Sequence, residues 1–241
     1  MKLKIGKFFG RLPFGIALKL SVLILAKKWG LNSANFFFSQ TGEDIILKFI
    51  AEEKANGTYV DVGCNHPILF SNSFYFYLLG WSGVCIDANE SLCKKFKSIR
   101  PKDTVVTAAV SDEEREVTFF VSDKVPAVST IDQSQLEEWK TRWEFNREVK
   151  MKTQRLEQIL DAHLSKNTAI DFMTIDVEGH DFNVLKSLNL SKYRPRWIII
   201  EMHNFELTGN KPNDVYEFLR SNGYQLCHFA LMNGYFKDLR S

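Results

Sequence analysis

Short apolar runs recur along this chain, separated by stretches whose apolar positions return every three or four residues. The first kind reads as buried strands, the second as amphipathic helices. Residues 57–61 form a β-rich run that ends at Gly63. Residues 71–80 are aromatic and helical in character, closed by Gly80. Val84-Cys85-Ile86 is a second strand ending at Asp87, and Asn89 is placed to cap a helix over 90–99 that Pro101 stops. A third strand is expected over 104–110, with another, 116–121, beside it. The polar stretch 132–147, carrying Trp139, Trp143 and Phe145, reads as helix, and 155–164 as an amphipathic helix with Leu156, Ile159, Leu160 and Leu164 inward.

Further on, 171–179 (DFMTIDVEG) is a strand that ends in two acids, followed by a helix over 181–188. RWIIIEMH (196–203) is the most continuous buried strand. A helix over 213–221, closed by Gly223, precedes YQLCHF (224–229) and the segment around Tyr235-Phe236, with Asn233-Gly234 as the hairpin signal between them. Strands alternating with helices predict an α/β fold: one doubly wound, mostly parallel sheet covered on both faces, with an antiparallel C-terminal hairpin.

Charge divides the chain. The formal net charge is only +2, yet every charged residue before Glu43 is basic: Lys2, Lys4, Lys7, Arg11, Lys19, Lys27 and Lys28. Without those seven, residues 43–241 hold 24 basic and 29 acidic side chains, a balance of −5. Residues 1–38 are therefore expected to be a basic leader and 39–241 one catalytic-sized domain. Within the leader the longest uncharged apolar run, Leu20 to Ala26, has seven residues and is followed by Lys27-Lys28. That is too short to span a bilayer, and no small-residue cleavage site follows it. On a helical wheel Lys4, Lys7 and Arg11 cluster opposite Ile5, Phe9, Leu12, Ile16, Leu20 and Leu23, a pattern suited to an anionic membrane interface. Pro13 interrupts it, and a helix packed on the body is the competing reading.

With 45% hydrophobic and 25% charged residues and 20 Phe, the composition is that of a globular protein. The acidic body excludes nucleic acid as the expected partner. Four cysteines without a C-x-x-C pair read as reduced thiols of a cytoplasmic protein.

In open α/β sheets, ligands bind beyond the carboxyl ends of the strands. The chemistry-bearing residues fall there. The first strand runs into Asp61-Val62-Gly63-Cys64-Asn65-His66-Pro67, the second ends at Asp87, 24 residues after Gly63, and the later ones end at Asp176-Val177-Glu178 and at Glu201 and His203. Gly63 allows a tight turn, and an acid at Asp87 can accept from two ribose hydroxyls. Singly, each has a plainer reading: Asp61 as a helix cap, Asp87 as a turn residue, Glu178 and Asp181 as first-turn acids, His66, His180 and His203 as structural histidines. No second or third glycine follows Gly63, so a pyrophosphate-binding G-x-G-x-x-G turn is absent and a nicotinamide-dependent oxidoreductase is the weaker reading. A ligand with a ribose but no pyrophosphate, such as S-adenosylmethionine, fits better.

The segments SQTGED (39–44), YVDVGCNHP (59–67), VCIDAN (84–89), AAVSD (108–112), FMTIDVEGHD (172–181) and RPRWIIIEMH (194–203) together resemble the FkbM-type family of S-adenosylmethionine-dependent methyltransferases. The resemblance implies a seven-stranded Rossmann-like sheet. It implies that Asp61, Gly63 and Asn65 line the methionine end of the cofactor, that Asp87 holds the ribose, that Ser111 and Asp112 border the adenine, and that Asp176 and Glu178 face both cofactor and acceptor. It further implies O-methylation of a hydroxyl on a sugar, glycan or secondary metabolite. A hydroxyl acceptor must lose a proton, so His203 or Asp176 is expected as base, with Glu178 beside them. A divalent ion on Asp176, Glu201 and His203 is the alternative. Trp139, Arg142 and Trp143 are expected as an acceptor lid. A non-catalytic binding module on the same fold is the rival function. The leader would place the enzyme peripherally at the inner face of a membrane.

Overall fold

In the computed structural model of the chain, residues 17, 18, 21, 25, 37–50, 54, 56–208 and 213–240 are described. The elements in chain order are α1 (Glu43–Ile50), β1 (Thr58–Val62), α2 (Phe74–Leu79), β2 (Ser82–Asp87), α3 (Glu90–Ile99), β3 (Thr104–Thr107), β4 (Ala109–Val110) and β5 (Glu116–Val121), then α4 (Gln133–Trp139), β6 (Arg147–Gln154), α5 (Leu156–His163), β7 (Phe172–Ile175), α6 (Asp181–Lys186), β8 (Trp197–Glu201), α7 (Asp214–Ser221), β9 (Tyr224–Ala230) and β10 (Asn233–Asp238).

Seven strands form one sheet in the order β3-β2-β1-β7-β8-β10-β9. The first five run parallel, and β10 is antiparallel to both β8 and β9. Alternation along each central strand divides the core. Val60, Val62, Val84, Ile86, Met173, Ile175, Ile198 and Ile200 join Leu156, Ile159 and Leu160 of α5, Leu185 of α6 and Leu219 of α7. Tyr59, Cys85, Phe172, Trp197 and Ile199 join Leu47 of α1, Phe76 of α2, Trp81 and Phe96 of α3. Successive side chains of a strand point to opposite faces, so these two clusters are the two helical layers over one sheet. Chain direction out of β1 reverses here: β2 and β3 lie to one side, β7 and β8 to the other. A crevice opens at that switch point.

Local signals hold the helix ends. Asn89 accepts the Ser91 amide at the start of α3, and Asn213 accepts that of Tyr216 at the start of α7. Gly80 ends α2 with φ +102, a left-handed conformation that glycine adopts freely.

Four expectations are corrected. The strand over 104–110 breaks at Ala108: β3 stays in the large sheet, while β4 pairs with β6 in a small three-stranded sheet whose other member is β5. The strand 116–121 therefore lies beside β6 and not beside the third strand. Helix covers only Gln133–Trp139 of the stretch 132–147, and β6 follows it. In β6 the residues Val149, Met151 and Thr153 alternate with charged ones, but Thr153 alone is buried, so the alternation was faint. The hairpin also turns elsewhere. Ala230 pairs with Asn233, leaving Leu231-Met232 as the turn, with Leu231 at φ +56. Asn233 is instead held by its side chain, which donates to Glu43 of α1 at 3.0 Å.

All four cysteines are free, Cys64, Cys85 and Cys93 buried and Cys227 exposed. No helix among the described residues is long and apolar enough to cross a membrane. The amphipathic leader expected over residues 1–30 lies outside the described residues except at four positions. One of these, Ala17, packs against Ile68, Phe74 and Tyr77.

Candidate active site

A cleft of about 850 Å³, counting space open to solvent, lies at the carboxyl ends of β1, β2 and β7. Asp61, Gly63, Asn65, Asp87, Asp176 and Glu178 all line it, together with His180. The six were separated by up to 117 positions in sequence; the parallel sheet brings them to one rim.

The turn after β1 is built around Gly63. Its φ is +83, and a Cβ placed there would stand 1.7 Å from the Asp176 carbonyl oxygen. Only a hydrogen fits, so the β1 and β7 loops approach as closely as backbones can. Asn65 follows with φ +50, and its amide donates to Asp87 Oδ2 at 2.8 Å. The Asn89 amide donates to Asp87 Oδ1 at 2.7 Å. Each oxygen of Asp87 thus has one amide and one lone pair left toward the cleft. Burial pushes the Asp87 carboxyl up to about 6.

Asp61 is almost fully buried, and its Oδ2 accepts from the Ser73 hydroxyl. Ser73 Oγ in turn accepts from Arg100 at 2.9 Å. Arg100 is wholly enclosed; it also donates to Asp103 at 2.7 Å and to the Tyr59 hydroxyl at 2.8 Å, against the ring of Phe96. Burial raises the Asp61 carboxyl to about 6, although Ser73 and Arg100 pull the other way. Ser73 lies in the segment SNSFYFYLLGWSG (71–83), also part of the family resemblance, but neither it nor Arg100 has a spacing that points to this role.

On the other side of the cleft Glu178 takes φ +58, a conformation costly for a residue with a side chain. Its carbonyl oxygen accepts from Thr130 at 2.9 Å, which joins the loop after β7 to the segment 126–131 roofing the cleft. Burial pushes the carboxyls of Asp176 and Glu178 well up, and each is raised further by the neighbouring acids, Glu201 among them. Asp181 rises to about 7, again through burial first and Glu201 next. It accepts from the amides of Val177 at 3.0 Å and Gly179 at 3.1 Å, a tie across the D-x-E-G-x-D turn.

Behind Asp176 stand Glu201 and His203. His203 Nε2 is 3.0 Å from Glu201 Oε2, and Glu201 raises the imidazole's proton affinity. The ion set expected from sequence is distributed over two overlapping groups. Asp176, Glu178 and Glu201 place ligand atoms within 4.8 Å of one another, as do Asp181, Glu201 and His203.

Other candidates sit apart from the cleft wall. Ser111 is buried and shares a 2.9 Å hydrogen bond with His180 Nε2. Asp112 is engaged by Lys186 at 2.6 Å and Asn183 at 2.9 Å, which hold its carboxyl well below the usual range. His66 accepts the amides of Ile68 and Leu69 on Nδ1, capping its own turn. Trp139, Arg142 and Trp143 do not line the cleft; Phe119, Pro126, Ala127 and Ile131 do.

Sheet order, switch point and acid-rimmed cleft define an α/β protein with a cleft at the carboxyl ends of its central strands. The methyltransferase FkbM domain matches residues 61–226, and the chain belongs to that family. No curated protein matches the chain.

Proposed function

We propose that this protein is an S-adenosylmethionine-dependent O-methyltransferase of Rossmann-like fold, acting on a hydroxyl of a sugar, a glycan or a secondary metabolite. One observation carries the reading. Asp61, buried, and Asp87, half-buried, are two carboxylates on the rim of one cleft, separated by a turn in which Gly63 admits no side chain. Buried carboxylates cost stability unless a cationic or hydrogen-bonding partner answers them. A ligand with a cationic centre and amine at one end and a ribose diol at the other answers both.

When bound, S-adenosylmethionine supplies a methyl group on a sulfonium. The chain's residues do the rest. Asp61 and the Asn65 turn would hold the amino-acid end, with Gly63 permitting the approach. Asp87, oriented by its two amides, would accept from the ribose hydroxyls. Ala108, Ala109 and Val110 offer the apolar wall that an adenine needs, while Ser111 orients His180 behind it. Asp176 and Glu178 face the space left for an acceptor. Holding the acceptor oxygen in line with the methyl carbon, about 3 Å away, is the main contribution to rate. Asp176, its carboxyl lifted by burial and by Glu201, has the proton affinity of a base for the acceptor hydroxyl. His203, paired with Glu201, is the second candidate for that proton.

Incubation of the protein with S-adenosylmethionine and cell extract, followed by mass spectrometry, should reveal a product heavier by one methyl group. Asp176→Asn should lose that product while keeping cofactor affinity. Binding of cofactor without any product from any extract would leave the chain a binding module and overturn the catalytic reading.

A further inference from the structure

Glu201 is 6% exposed, and its Oε2 makes no hydrogen bond. The atom nearest in kind is His203 Nε2, itself buried and without a hydrogen bond. The two stand 3.0 Å apart as an ion pair that is not aligned as a good hydrogen bond. A buried carboxylate oxygen with so little hydrogen bonding leaves part of its desolvation cost uncompensated. An imidazole nitrogen and a carboxylate oxygen that converge on one point in this way can take a cation there in place of a shared proton. In an octahedral site with bonds of about 2.1 Å, two adjacent ligands are about 3.0 Å apart. Asp181 completes the set: its ligand oxygen lies within 4.8 Å of both, and the amides of Val177 and Gly179 fix its orientation.

We propose that Asp181, Glu201 and His203 hold a divalent first-row transition-metal ion behind the cleft wall, for which Mn²⁺ is a convenient probe. Two carboxylates and an imidazole mix oxygen with nitrogen, a donor set that transition ions accept and that departs from the all-oxygen preference of Mg²⁺ or Ca²⁺. Glu201 also belongs to the set with Asp176 and Glu178, both on the cleft wall, so the ion adjoins the acceptor space. Half-buried His203 leaves a route for entry. The ion would coordinate the acceptor's hydroxyl oxygen and ease loss of its proton to Asp176; that use rests on the methyltransferase reading, whereas the site itself does not.

The test is titration of the chelator-treated full chain with MnCl₂, following free Mn²⁺ by electron paramagnetic resonance. One Mn²⁺ should be taken up per chain. Glu201→Gln and His203→Ala should each weaken uptake roughly 10- to 100-fold. Asp123→Asn, an exposed carboxylate paired with Arg147, should change nothing. No uptake by the parent chain, or equal uptake by His203→Ala and the parent, would overturn the proposal. His203 is partly exposed, so that variant keeps the test sound even if Glu201→Gln folds poorly. Calorimetry with S-adenosylhomocysteine on the same samples separates the two readings: cofactor binding without Mn²⁺ uptake refutes the metal site alone, and Mn²⁺ uptake without cofactor binding refutes the cofactor alone.

Discussion

Gly63 and Asp61 carry two residue-scale consequences. A methyl group at position 63 meets a carbonyl oxygen at 1.7 Å on a backbone with φ +83, so it is refused on both counts. Gly63→Ala should lower stability by about 2 kcal/mol or more in urea unfolding, with loss of cofactor affinity. An unchanged midpoint would contradict the close approach of the two loops. Asp61 predicts a pH effect. Its folded carboxyl titrates at about 6, above the ordinary 3.8. The group therefore favours the fold fully below about pH 4, and that contribution is lost as pH rises through 6, a difference of the order of 2–3 kcal/mol. Asp61→Asn, which can still accept from Ser73, should melt higher than the parent at pH 8 and lose the advantage by pH 4, while binding S-adenosylmethionine less tightly. A variant less stable than the parent at pH 8 would show that the buried charge is already compensated within the chain. Buried acids at the strand ends thus hold a latent cost that a cationic ligand relieves.

At the scale of elements, α3 ends in Arg100, which ties together β1 through Tyr59, the loop before α2 through Ser73, and Asp103 ahead of β3. Removing one partner of a fully buried ion pair strands the other, at about 3–5 kcal/mol. Arg100→Ala should cost that much in urea unfolding, and a loss below about 1 kcal/mol would mean that the network is dispensable. Most elements were legible because their signals are local: Asn89 and Asn213 cap helices, Gly80 closes one, and the apolar run of β8 has no polar position for solvent to face. The misses share a cause. Whether 104–110 continues past Ala108 depends on β6, where Ala109 pairs with Thr153 and Val110 with Gln154, and no local window on the sequence contains both. Asn233-Gly234 has turn chemistry, but pairing with β8 and the bond to Glu43 draw Asn233 into the strand. Tertiary contacts won over local preference. For the site, strand-end acids were visible because a parallel sheet must expose its carboxyl ends. The Ser73–Arg100 support and the approach of Asp181 to Glu201 were not, since each is a tertiary contact without a spacing.

For the whole molecule, the sheet order concentrates the candidate site at one rim, while the seven basic residues before Glu43 fall outside the described residues. Deleting residues 1–30 should abolish sedimentation with anionic vesicles and leave cofactor binding intact; a truncated protein that still sediments would place the membrane contact elsewhere or nowhere. The FkbM-domain match begins at Asp61, so the core of the site lies within the family's span. The central claim is that the acid-rimmed cleft is a cofactor site. Isothermal calorimetry of the full chain with S-adenosylmethionine and with S-adenosylhomocysteine tests it most directly. The account predicts one site per chain for both ligands, weakened at least tenfold in Asp87→Ala, where about 1.4 kcal/mol or more of hydrogen bonding to the ribose is lost. Binding of neither ligand by the folded parent chain would contradict it.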